Sequence, residues 1–62
     1  MEDTYYVRRG VAGTVLSIRM STPRREDALR NAADGAIMNP GFTYTVCKGE
    51  TEIAKFFVKE EE

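Results

Sequence analysis

The chain has no histidine and no tryptophan, one cysteine (Cys47) and two prolines in 62 residues. Without histidine it lacks the commonest general base near neutral pH and the commonest metal ligand. A single cysteine permits no internal disulfide, so nothing here calls for an oxidising compartment. No apolar run approaches the roughly 20 residues of a membrane span, and the acidic start MEDTYY is unlike the basic, then apolar, start of a secretory signal. We therefore expect a cytoplasmic, non-enzymatic protein with no catalytic residues, no cofactor, no metal and no membrane contact.

Other chemistry-bearing patterns are equally sparse. Cys47 as a nucleophile would need a neighbour that lowers its pKa, but the residue expected across the hairpin is Glu52, whose charge opposes thiolate formation. It reads as a structural cysteine. Glu60 to Glu62 lack the spacing of a calcium loop and read as a solvated tail. Gly10 and Gly13 lie between two strands rather than leading into a helix, so they are not a phosphate loop. Thr22-Pro23-Arg24-Arg25 resembles a proline-directed kinase site, yet a helix cap followed by a first-turn proline accounts for the Thr-Pro pair.

What is present is the composition of an ordinary globular domain, 42% hydrophobic and 31% charged. We expect one domain spanning residues 1–62. A chain of that length buries only about 60% of its unfolded surface, so association with another copy would help it. The net charge is -1, but Arg8, Arg9, Arg19, Arg24, Arg25 and Arg30 all precede residue 31, and Lys48, Lys55 and Lys59 all follow it. The field of such a chain is directional without naming a partner.

Ser21 to Asn39 is the one stretch long and periodic enough for a helix. Leu29, Ala32, Ala33, Ala36 and Ile37 fall on one stripe at 3.6 residues per turn, with Leu29 and Ile37 as anchors and three alanines allowing close approach. Thr22 is placed as the cap and Pro23 as the first helical residue, and Glu26 and Asp27 suit the positive end of the dipole. Arg25 stands where a capping box would need Glu or Gln. Gly35 could end the helix after Asp34, but that would strand Ala36 and Ile37, so we extend it to Met38, before the break Asn39-Pro40-Gly41.

Strand-like alternation flanks the helix: Thr4 to Arg9, Thr14 to Met20, Phe42 to Cys47 and Glu52 to Lys59. A Val11-Ala12 turn would pair Val7 with Leu16 and Tyr5 with Ile18, although both turn residues resist positive φ and a longer loop using Gly10 or Gly13 is the alternative. A type II′ turn at Gly49-Glu50 pairs Val46 with Ile53, Tyr44 with Lys55 and Phe42 with Phe57. The expected fold is α+β, ββαββ: a four-stranded antiparallel sheet in the order 2-1-3-4, with one helix on one face. Its expected core is Val7, Leu16, Ile18, Met20, Leu29, Ala33, Ile37, Phe42, Val46, Ile53 and Phe57.

One helix leaves the other sheet face bare. On it we place Tyr6, Arg8, Val15, Ser17, Arg19, Thr43, Thr45, Cys47, Glu52, Ala54, Phe56 and Val58. The leading expectation is a homodimer, or docking of another protein, through Tyr6, Arg8, Val15, Arg19, Phe56 and Val58. The alternative is single-stranded nucleic acid, with Tyr6, Arg8 and Arg19 on the face and Arg24 and Arg25 at the rim. In pattern only, the arrangement resembles short strand-strand-helix-strand-strand domains of bacterial and phage proteins, and it transfers no residue roles.

Overall fold

The alternating stretches become β1 (Tyr5–Val11), β2 (Thr14–Thr22), β3 (Phe42–Lys48) and β4 (Thr51–Phe57), and the periodic one becomes α1 (Arg25–Met38). The structure is a computed structural model that describes residues 3–11 and 14–60, and for residues 14–17 the backbone alone. The four strands form one antiparallel sheet in the order β2-β1-β3-β4 with α1 packed on one side, as the sequence predicts. β1 and β3 form its centre and pair without interruption from Tyr5 opposite Lys48 to Val11 opposite Phe42. Val7 and Val46, directly opposite each other, are both fully buried.

The helix starts later than expected. Thr22 is the last residue of β2, paired with Tyr5, and its Oγ1 accepts a hydrogen bond from the Arg24 N–H at 3.2 Å. Thr22 is held out of the helix by its pairing with Tyr5 at the end of β2. Arg24 becomes the N-cap with no side-chain bond, so Pro23 lies outside the helix. Glu26 and Asp27 still occupy the first turn.

The stripe facing the sheet is rotated from the expected one. Ala28, Ala32, Gly35 and Ala36 are buried, Leu29 and Ala33 are only partly so, and Ile37 is 67% exposed. Side-chain size points to Leu29 and Ile37 as anchors, but closeness decides the outcome. Tyr44 fills the space beneath the helix so fully that a Cβ on Gly35 would sit 2.6 Å from its Cε2. Only the smallest residues can face that ring, and burying them brings the helix down onto β3. The helix runs to Met38, and Asn39 closes it: its N–H donates to Gly35 O at 2.9 Å and its Nδ2 donates to the Tyr44 hydroxyl at 3.2 Å.

Three register shifts account for the remaining differences. In the second hairpin Gly49 has φ +61, Lys48 pairs with Thr51 and Cys47 with Glu52, as a two-residue turn requires. The register then slips at Ile53, so that Val46 meets Ala54 and Tyr44 meets Phe56. One extra residue sends every later side chain to the opposite face. Phe56 therefore packs with Ala54 and Ile53 against the core, and Phe57, placed in the core by the sequence, is 53% exposed. In the first hairpin Val11 pairs with Thr14 rather than turning the chain, and two shifts leave Leu16 and Arg19 as the extra residues. Ile18 then stands opposite Arg8 and is 54% exposed instead of buried. The turn positions Ala12 and Gly13, and the core placement of Leu16, lie outside the described residues.

Near the chain start, Lys48 Nζ lies 3.1 Å from an Asp3 carboxylate oxygen. Hydrogen bonding to Asp3, and then its charge, hold the ammonium above the ordinary 10.5. Because the folded value is raised, the small contribution of this exposed pair is present below the ordinary value and is lost as pH rises through the folded one. In Asp3→Asn, Lys48 should titrate back toward ordinary lysine in an NMR titration of its Cε; an unchanged midpoint would refute the assignment.

Candidate interaction surface

Alternation and register fix which side chains share the face away from α1. In β1 they are Tyr6 and Arg8, since Tyr5 and Val7 point to the helix; in β3 they are Thr43, Thr45 and Cys47, flanking the buried Tyr44 and Val46. The shift at Ile53 adds Glu52, Lys55 and Phe57 from β4, opposite Cys47, Thr45 and Thr43. The shifts in β2 add Ile18, opposite Arg8, and Ser21, opposite Tyr6. Among the described residues, no element covers this face.

Its character is mixed. Ile18 and Phe57 stand out by more than half, Tyr6 is partly buried, and Cys47 is buried between its cross-strand neighbours Tyr6 and Glu52. Glu52 and Lys55 pair loosely at 3.7 Å. Arg8 is partly buried on a central strand, and its Nε is out of contact with water and without a hydrogen-bond partner among the described residues. Arg9 Nε, on the helix side, is in the same state, so the unmet donor is not particular to this face.

The residues singled out from sequence do not all meet here. Tyr6 and Arg8 do. Arg19, an extra residue in β2, instead places its guanidinium 5.8 Å over the ring of Tyr44, on the helix side. Phe56 is likewise on the helix side, and Val58 follows the end of β4, its carbonyl accepting from Gly41 N–H at 3.0 Å. The side chain of Val15 lies outside the described residues. Arg24 and Arg25 are exposed at the start of α1, Arg24 lying 3.8 Å from Asp27. Tyr6, Arg8, Arg19, Arg24 and Arg25 are thus spread over different surfaces rather than lining one track. Ile18, Ser21, Lys55 and Phe57 are the face residues that sequence reasoning missed: Ser21 because β2 runs on past Met20, and the others because only the position of the bulges reveals them.

Among the described residues, no group of three His, Cys, Asp or Glu side chains could hold a metal ion, and no helix is long and apolar enough to cross a membrane. The chain matches no protein-family model, no curated protein and no solved structure.

Proposed function

We propose that the protein is a non-enzymatic interaction module that pairs with a second copy of itself through the uncovered sheet face. The observation that carries this reading is that one bare face holds two half-exposed apolar side chains, Ile18 on β2 and Phe57 on β4, on either side of the central strands. A two-fold contact would bury each apolar group twice, and Glu52 on the same face supplies an acceptor that a facing copy can bring to Arg8. The gain matters because, among the described residues, the largest fully buried side chains are Tyr44, Val7 and Val46. Burying an aliphatic or aromatic side chain fully is worth about 1.5 to 3 kcal/mol.

Ile18→Lys tests this directly. The side chain is outside the buried cluster, so the variant should keep the circular dichroism of the unmodified protein while its dimer dissociation constant rises by roughly tenfold or more. Sedimentation equilibrium gives the reading. A monomer mass for the unmodified protein at about 1 mM, where even 4 kcal/mol of association would show, would overturn the proposal. Binding of labelled single-stranded DNA or RNA by that monomer, lost on Arg8→Ala and weakening steeply with salt, would replace it with the nucleic-acid reading.

A further inference from the structure

The two edges of the sheet are built differently. β2 is interrupted twice, at Leu16 and Arg19, and is followed by Pro23, devices that twist an edge and remove a donor. β4 has its one interruption at Ile53, near its start, and beyond it the strand is regular through Phe57, with no strand on its outer side among the described residues. The segment Ile53 to Val58, IAKFFV, contains neither glycine nor proline, carries one charge and is apolar on both faces. Segments of that kind readily add a strand at a free edge.

We propose that the outer edge of β4 is a second interface, where β4 of another copy adds antiparallel about a two-fold axis perpendicular to the sheet, with Phe56 facing Phe56. The proposal shares with the face reading only its need for a second copy, and the surfaces are distinct. An axis in this direction keeps the helices of both copies on one side, so that helix-side residues meet helix-side residues. The side-chain order of β4 then selects the register. Centring the axis on Lys55 sets two lysines opposite each other, and centring it on Phe57 sets Lys55 opposite Lys59. Centring it on Ala54 draws the Ile53 bulge into the ladder. Centring it on Phe56 does neither: Lys55 of one copy lies beside Phe57 of the other, with its stem over the ring, and Ala54 lies beside Val58. The sheet becomes eight strands wide, and face and edge contacts together would close a tetramer when the face axis runs across the strands and meets the edge axis.

The register makes a specific demand on cross-linking. In a Cys47→Ser background, chains carrying Lys55→Cys mixed with chains carrying Phe57→Cys should form a mixed disulfide under mild oxidation. Either variant alone should stay largely reduced, because in this register residue 55 is offset from its own copy by two strand positions, beyond the Cα separation of about 7 Å that a disulfide tolerates. Failure of the mixed disulfide, or equal cross-linking in all three samples, overturns the edge interface. Ile18→Lys separates it from the face reading: that variant should retain the mixed disulfide when it carries the same cysteines. A dimeric unmodified protein that forms no mixed disulfide leaves the face interface standing alone, whereas a mixed disulfide with a mass unaffected by Ile18→Lys leaves the edge alone.

Discussion

Tyr44→Ala should remove about 3 to 5 kcal/mol, roughly a third or more of the stability available to a chain of this length. Tyr44 is the largest fully buried side chain among the described residues; it sits opposite Arg9 and Phe56, and its hydroxyl accepts from Asn39 Nδ2 at the end of α1. Removing a buried aromatic ring typically costs about 3 to 5 kcal/mol. A chain of this length has a total of roughly 3 to 9 kcal/mol to lose. Tyr44→Phe keeps the ring and gives up only the bond to Asn39, so it should cost about 1 kcal/mol. Urea unfolding followed by circular dichroism distinguishes them, and a Tyr44→Ala variant less than about 1 kcal/mol below the unmodified protein would show that the ring does not hold the helix on the sheet.

The second large effect runs against helix propensity. Alanine is favoured over glycine by about 1 kcal/mol inside a helix, so Gly35→Ala ought to stabilise α1. In the fold it should destabilise by about 1 to 3 kcal/mol net, because the new methyl would lie 2.6 Å from Cε2 and 2.9 Å from Cζ of a ring that has nowhere to go. For a domain of this size that corresponds to a fall in Tm of roughly 4 to 8 °C per kcal/mol. The cause can be isolated by a double-mutant cycle. In a Tyr44→Leu background the clash is removed, and the same Gly35→Ala change should become neutral or favourable. Equal costs in the two backgrounds would place the strain elsewhere.

These two residues also mark how much of the molecule could be read from its sequence. Alternation and period identify every element, and the rule for crossovers yields the strand order, because both are properties of runs of residues. The helix stop at Met38 was legible because Ala36 and Ile37 continue the periodic pattern, and the residue Gly35 confronts is visible only in the fold. Bulges were not legible. A single extra residue at Ile53, Leu16 or Arg19 leaves no mark on composition, yet it exchanges Phe56 with Phe57 and moves Ile18 out of the core. The uncovered face was therefore correct along the regular strands β1 and β3, where Tyr6, Arg8 and Cys47 lie, and altered along β2 and β4. Thr22 shows a smaller conflict of the same type, in which pairing with Tyr5 across the sheet outweighed a good capping side chain.

The pairing of β1 with β3 sets the order in which the chain can assemble. Each hairpin closes through neighbours in sequence, on a timescale of about 1 to 10 μs, but a lone two-stranded hairpin is marginal in water. The ladder from Tyr5–Lys48 to Val11–Phe42 joins segments separated by all of β2 and α1, so its loop-closure entropy must be met before Val7 and Val46 can make contact. We therefore expect formation of the β1–β3 seam to limit the folding rate. Truncating Val7 or Val46 should slow refolding in stopped-flow experiments, whereas changes at the peripheral Ile18 or Phe57 should leave the refolding arm of the chevron nearly unmoved.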